Sequence, residues 1–549
     1  MNRRIYFLLF MLGSLAAWCV ALFQHTPGYM DADYYYAGGI SLAKKDGFVE
    51  PFLWNYLDDP DGLPHASHAY WMPLASILAA AGMALTGELA FSSGRLAFIL
   101  MAGMIPVLTA GLSFSIARRA RMALVSGLLA VFAAFYLSYL PTTDTFGIYM
   151  LLGAAWFIVA GGILNRHQPL GHLDGWWRWI LLGCLSGLMH LSRADGVLWL
   201  LLSLLVVFVF WIKGLSIAAS SEVARSAKLL QAAFLGVLVV GGYLFFMGPW
   251  MLRNYRVFGA LLSPGGEHAL WVTSYDQLYT YPSSLLSAHS WWQSGWQSIL
   301  AARLQALWKN LQTALVVQGE IFLTPLVLIA AWKLRKDWRL RLGGIAWLIT
   351  LFVMSLVFPY QGWRGGFFHS GAALQPLVWA LAPIGLEELI AWGGQYRGWN
   401  PLQAGRVFQV GLLALAVLMT LLVVPARVVG SGDGQAAWNE STYRYAQVDL
   451  KLGELGAGEK SVVMVNNPPG YFIASGRSAI PVPEGDTATL QAVAQRYQAG
   501  YLLVEANHPH FLDPVYRQPT GLPGFEYLTT FEDTHIFAFR KSLSLDKDG

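Results

Sequence analysis

The sequence predicts an α-helical polytopic membrane protein of about eleven transmembrane helices that carries a small extracytoplasmic α/β domain at its carboxy terminus. Three observations predict it. The 549 residues are 56% hydrophobic and only 12% charged, against roughly 25% charged in a soluble protein. The apolar residues gather in runs approaching the ~20 residues that a helix needs to cross a hydrocarbon core, and they do not alternate as the strands of a membrane barrel would. After Pro425 the composition changes, and residues 431 to 549 hold 14 acids and nine bases of the chain's 32 and 36. The expected division is a membrane part over residues 1–430 and a soluble α/β part over 431–549.

The first apolar run follows Arg3 and Arg4, and no small-residue cleavage site precedes the acidic stretch behind it, so it reads as a retained first helix. With the amino terminus cytoplasmic, crossings fit at residues 5–23, 95–116, 122–140, 146–164, 178–191, 196–212, 229–248, 315–332, 342–358, 371–392 and 407–425. This places Arg118, Arg119, Arg121, the Lys213 to Lys228 segment and the Lys333 to Arg341 segment inside, as the positive-inside rule requires. The loop from residue 24 to 94 falls outside, with eight acids and only Lys44 and Lys45 as bases. An odd number of crossings puts the 431–549 domain on that same side, and the expected location is a plasma (inner) membrane.

Two apolar stretches are too short or too charged to cross. Trp71 to Leu85 is expected to lie along the outer interface or dip into it. A second outer loop is read from Pro249 to about Ala314, and within it Trp296, Ile299, Leu300, Leu304, Leu307, Trp308 and Leu311 recur at helical spacing, which predicts another interfacial helix. In the carboxy-terminal part Ser461 to Val465 reads as a strand, Asp486 to Gln498 as a helix, Tyr501 to Val504 as a second strand, and the stretches around Tyr527 and Phe537 as two more. Cys19 and Cys184 both sit in apolar runs, so neither a disulfide nor a thiolate metal site follows from them.

The residues with chemistry concentrate in the first outer loop, from Met30 to Pro73. Asp31 and Asp33 stand where the chain leaves the bilayer, a tyrosine run (Tyr34, Tyr35, Tyr36) follows, and His65 and His68 come further along. This stretch reads as a membrane-surface active site. Asp144 opens a later helix on the same face, where an acid at membrane depth is costly enough to favour function. Gly453 to Ser461 superficially suggests a phosphate loop, but Glu459 separates the glycine from Lys460 and a strand follows, so it is dismissed.

Asp31-Ala32-Asp33 in the first outer loop, the phrase Leu140 to Phe146 with its Asp144, the short re-entry Gly187 to Gly196 with Arg193 and Asp195, and the run from Pro249 and Trp250 to Gly259 together resemble the GT-C glycosyltransferases. The resemblance spans residues 1–430 by order and topology. Within the group it is similar to the mannosyltransferase-like and aminoarabinose-transferase-like members. Where the latter carry Glu-Lys-Pro before the interfacial helix, this chain has His65 to Pro73, so a carrier contact by that lysine does not transfer.

The resemblance implies an inverting glycosyltransferase that takes a sugar from a polyprenyl-phosphate carrier to a lipid, glycan or protein acceptor at the outer face, with membrane lipids as partners and no nucleic acid. A polyprenyl phosphate is a good leaving group, so the site needs a base and an anchored phosphate more than a general acid. Asp31, Asp33 and Asp144 are the catalytic candidates. Tyr35, Arg193, Arg253, Arg256, Arg364 and His369 are the substrate-binding candidates, with the arginines as outer-face cations; Arg253 and Arg256 as lipid anchors, and Arg193 with Asp195 as a structural pair, stay open as alternatives. A divalent metal (manganese, magnesium or zinc) could instead hold the phosphate, with His65 and His68 joining Asp33 as its ligands. The rival class is a transporter or flippase of a lipid-linked or small polar substrate, which would place its charges near the midplane on broken helices.

Overall fold

A computed structural model describes residues 2–165, 175–217, 222–430, 436–519 and 521–540. Among them eight helices are long and apolar enough to cross a membrane: Arg3–Ala21, Phe91–Ala117, Phe146–Leu164, Ala194–Leu215, Arg225–Phe258, Trp338–Val357, Pro359–Arg397 and Pro401–Val428. A ninth crossing results if Trp296–Gln318 and Leu323–Lys333, bent by 92° at the break between them, count as one. All eleven expected crossings meet helices, but 315–332 straddles that break and two others fall on short helices. Ala120–Val131 has 12 residues and Trp176–Ser192 has 17; at 1.5 Å per residue these reach about 18 and 26 Å, less than the ~30 Å hydrocarbon core.

Small residues let these helices approach closely, as membrane helices do where no water drives them together. A Cβ on Gly183 would lie 2.0 Å from the Val239 carbonyl oxygen, and one on Gly242 would lie 2.3 Å from that of Ile180. The same device positions the site. A Cβ on Gly153 would lie 2.1 Å from the Ala373 carbonyl oxygen, so the Phe146–Leu164 helix runs hard against residues 372–374. That contact brings Asp144, just before the first of these, beside His369, just before the second.

The segments expected outside differ from expectation in two places. Residues 30–43, read above as loop, form the helix Met30–Ala43, with Asp31 and Asp33 in its first turn. Acids there complement the positive end of the helix dipole. The second outer loop begins ten residues later than read, because the helix Glu222–Phe258 runs through Pro249 and ends where Gly259 takes the left-handed conformation, φ +71. The expected interfacial helices are present as helices at Leu74–Thr86 and Trp296–Thr313, the second with Trp296, Leu300, Leu304 and Trp308 exposed.

The described residues between 436 and 540 include a five-stranded sheet. Its strands are β3 (Val462–Val465), β4 (Ala479–Pro481), β5 (Ala499–Val504), β6 (Phe525–Phe531) and β7 (Thr534–Phe539), numbered after the two-residue pair β1 (Val49–Glu50) and β2 (His65–Ala66) of the first outer segment. The spatial order is β4-β3-β5-β7-β6, parallel across β4-β3-β5 and antiparallel from β5 to β7 and β6. The helix Thr487–Arg496 is capped by Asp486, whose Oδ1 accepts from the Thr489 amide at 2.8 Å. The sheet shares its core with the first outer segment. Tyr34, Phe52 and Leu57 pack with Val463, Tyr471 and Leu503, Leu53 and Tyr56 pack with Met464, Ile480 and Leu502, and the Leu53 amide donates to the Ala479 carbonyl at 2.9 Å.

Candidate active site: a carboxylate and imidazole cluster

Asp31, Asp144 and His369 converge. Each offers one ligand atom, and these atoms lie within 4.8 Å of one another. His369 Nε2 is 3.1 Å from Asp144 Oδ2 and 3.6 Å from Asp31 Oδ2. The imidazole plane is fixed from both sides, by stacking on Phe146 with centroids 3.9 Å apart and by Nδ1, which donates to the Gly365 carbonyl at 3.0 Å. Tyr136 and Tyr139 pack behind Phe146.

The two carboxylates are unequal. Asp144 is sealed, with its side chain 1% exposed. Its Oδ2 accepts from the Tyr29 hydroxyl as well as facing His369, and its Oδ1 accepts from the amide and the hydroxyl of Thr145. Burial alone would raise its pKa, but the imidazole of His369 and these donors outweigh it and hold the carboxyl below the usual range. Asp31 keeps 35% of its side chain exposed. Among the described residues no donor gives its carboxylate a hydrogen bond, and desolvation by the surrounding protein, partly offset by His369, pushes its pKa up to about 6.

Cations and tyrosines surround the cluster. Arg193 lies within electrostatic reach of Asp31, Asp144, His369 and Tyr35. Its Nε donates to Asp195 Oδ1 at 2.9 Å, and its guanidinium lies over the Tyr149 ring, so one edge of the fork is used for orientation. Tyr35 stacks on Trp71 with centroids 5.6 Å apart. Arg364 sits 4.1 Å over the ring of Tyr275, which itself is within reach of Asp31.

The other candidates lie apart from this group. Arg253 is committed to the protein: its guanidinium donates to the Ser67 carbonyl at 2.9 Å and the Phe48 carbonyl at 3.3 Å and lies over Trp250 and Phe258. Arg256 is exposed on the last turn of the same helix. His65 pairs with Glu50 at 2.9 Å, and although burial lowers its pKa, Glu50 outweighs burial and raises it. His68 is fully buried between the hydroxyls of Ser67 at 2.7 Å and Ser76 at 3.1 Å, and burial pushes it down to about 3. Asp33 points away from Asp31 and meets Asn467, with burial pushing it up to about 7.

The cluster fits a divalent cation. Because Nδ1 of His369 donates to a carbonyl, its Nε2 faces two carboxylates either as an imidazolium N–H or with a lone pair, and a lone pair against carboxylate oxygens needs a positive charge between them. A carboxylate, carboxylate and imidazole set oriented by a carbonyl behind the imidazole suits manganese or zinc. Sequence reasoning placed the metal on His65 and His68 instead. It missed Tyr29 and Asn467 altogether; the only signal for Asn467 is its place as a cap before Pro468 and Pro469.

A many-helix membrane protein with an acid and imidazole cluster under the segment of residues 24–94 is thus the class that fold and site define. No protein-family model matches the chain, and no curated protein matches it. Solved structures do. The oligosaccharyltransferase AglB from Archaeoglobus fulgidus, in complex with an inhibitory peptide and a dolichol-phosphate, is 12% identical with a TM-score of 0.53, over 91% of this chain and 69% of that one. The oligosaccharyltransferase of the same organism in complex with zinc and sulfate is 13% identical with a TM-score of 0.51, over 90% and 68%. ArnT from Cupriavidus metallidurans in the apo state is 14% identical over 97% of both chains, with a TM-score of 0.48. The oligosaccharyltransferases are GT-C glycosyltransferases, and the chain has the GT-C fold.

Proposed function

We propose that this protein is an integral membrane glycosyltransferase that moves a sugar from a polyprenyl-phosphate carrier to an acceptor hydroxyl at the outer face of the membrane, with inversion. The observation that carries the reading is the meeting of Asp31, Asp144 and His369 within 4.8 Å beside Arg193. The carboxylate left open and held near pKa 6 has the properties of a general base at neutral pH. Asp31 takes the acceptor's proton as the acceptor oxygen bonds to the anomeric carbon. The bond from that carbon to the phosphate oxygen breaks, and its electron pair leaves with the polyprenyl phosphate. Asp144, held by Tyr29 and Thr145 and facing His369, is a fixed negative charge that orients the imidazole. Arg193, aligned by Asp195, and Arg364 receive the phosphate, and Tyr35 lines the sugar side.

A divalent cation held by Asp144, His369 and one oxygen of Asp31 would supply positive charge against the phosphate. The zinc and sulfate bound to one fold neighbour and the dolichol-phosphate bound to another support this pairing of metal and polyprenyl phosphate. Charge asymmetry supports an amino terminus in the cytoplasm of an inner-membrane protein, with residues 1–430 as the catalytic membrane part and 431–549 as an extracytoplasmic domain.

The test is incubation of the purified protein with a panel of radiolabelled polyprenyl-phosphate sugars and membrane extract. Label should move from the carrier to an acceptor in the wild type and stay on the carrier with Asp31→Asn. Transport of the intact lipid-linked sugar across vesicles, with no bond broken, would overturn the reading.

A further inference from the structure

Asp33 follows Asp31 by two residues on one helix, so it points roughly 200° around the axis from it. It is 1% exposed. Its Oδ2 accepts from Asn467 Nδ2 at 2.9 Å across 434 residues of sequence, and among the described residues its Oδ1 has no partner. Asn467 is itself held, because its Oδ1 caps the helix Pro468–Ser475 by accepting from the Gly470 amide at 3.2 Å. A Cβ on Gly470 would lie 2.8 Å from Asp33 Oδ2, so only glycine leaves the carboxyl its place. On the other side of the same first turn, the Thr143 hydroxyl donates to the Ala32 carbonyl at 2.8 Å, and Thr143 adjoins Asp144.

The first turn is therefore clamped on both flanks by directional bonds, one from the residue beside Asp144 and one from the carboxy-terminal region. A buried carboxyl with a single donor is a costly way to fill space. An apolar pair would pack there at less cost but would not fix rotation about the helix axis, and rotation decides whether Asp31 faces His369.

We propose that Asp33 is a positioning residue, and that the turn Asn467–Gly470 grips its carboxyl to set the register in which Asp31 faces Asp144 and His369. The inference rests on Asp31 being the reacting carboxylate. It assigns the carboxy-terminal region a part in building the site without contact to the reacting atoms.

The experiment compares four full-length proteins in lipid nanodiscs: wild type, Asp33→Asn, Asn467→Asp and the exchange of both. Asp33→Asn keeps an acceptor for Asn467 and should lower kcat by less than about threefold, whereas Asn467→Asp sets acid against acid and should lower it about 10²-fold, the scale of a misplacement near 1 Å, with donor KM unchanged. The double exchange restores a donor and an acceptor and should recover kcat. Hydrogen exchange of the amides of residues 30–43, read in the same proteins, should quicken in Asn467→Asp and return in the double exchange. Loss of activity in Asp33→Asn as deep as in Asp31→Asn would overturn the proposal, as would an Asn467→Asp protein with wild-type exchange. A wild type that transfers no sugar would sink the glycosyltransferase reading alone, and the exchange data would still decide the clamp.

Discussion

Two polar neighbourhoods grow from the segment of residues 24–94, and both bury a carboxylate with an imidazole. Around His65 and His68 the imidazoles and the arginine are partnered: Glu50 holds His65, two serines hold His68, and Arg253 is spent on two carbonyls, while Asp58 lies within electrostatic reach of His65 and is pushed up to about 6 by burial. Around Asp31 two carboxylates and an imidazole crowd together, and one of the acids is left without a donor. The first arrangement is what a structural network looks like when its imidazoles are satisfied. The second keeps an unmet electrostatic demand that a substrate, a proton or a metal can fill.

Substitutions should separate the two. Asp31→Asn is expected to lower kcat by ~10² to 10⁴-fold, the contribution of a general base, measured as sugar transfer with donor binding retained; a smaller loss would move Asp31 out of that role. His369→Ala should weaken manganese or zinc affinity by at least about tenfold in a metal titration. His68→Ala should leave that affinity unchanged and instead destabilise the protein by roughly 1–3 kcal/mol, because Ser67 and Ser76 lose their partner.

Arg193→Ala should raise donor KM by about 10- to 100-fold, as the loss of a hydrogen bond to a charged group would. Arg253→Ala should lower thermal stability with donor KM intact, and a reversal of these two effects would exchange their roles. The pH profile comes next in size. With Asp31 near pKa 6, kcat/KM should fall about tenfold per pH unit below 6, where the base is protonated, and the fall should vanish in any residual activity of Asp31→Asn.

The last effect is on stability. Asp33 has a folded pKa of about 7, above its ordinary value of 3.8, so its contribution is complete below about pH 4, declines as pH rises from there, and is lost once pH has passed 7. Asp33→Asn is neutral throughout, and the melting temperature of the variant relative to wild type should therefore climb between about pH 4 and pH 7 and level off above. A flat difference would mean that Asp33 does not titrate there.

Much of the fold was legible because the information is local. An apolar run marks a crossing, Asp486 marks a helix start, and Val462 to Val465 marks a strand without reference to anything distant. Pro249 misled the reading because proline breaks helices in water, while in the bilayer a helix continues through it since its backbone has no other partner. The site was legible only as parts. Asp31, Asp144 and His369 each showed as a polar residue at an outer helix end, but their meeting depends on the Gly153 contact with Ala373. Asp31 and Asp33 could not be told apart while residues 30–43 were read as loop, for only a helix turns neighbours two apart to opposite sides.

The core shared by the first outer segment and the carboxy-terminal sheet also sets an order of events during biosynthesis. The Tyr56 hydroxyl bonds the Pro481 carbonyl across 425 residues, so the segment leaves the ribosome long before the strand it needs. At ~5–20 residues per second the wait is roughly 20 to 80 s. During that interval Phe52, Leu53, Tyr56 and Leu57 have no β3 or β4 to cover them. A ribosome stalled or a chain truncated before residue 462 would thus leave a protein whose helices are inserted but whose first outer segment is a standing target for chaperones and proteases.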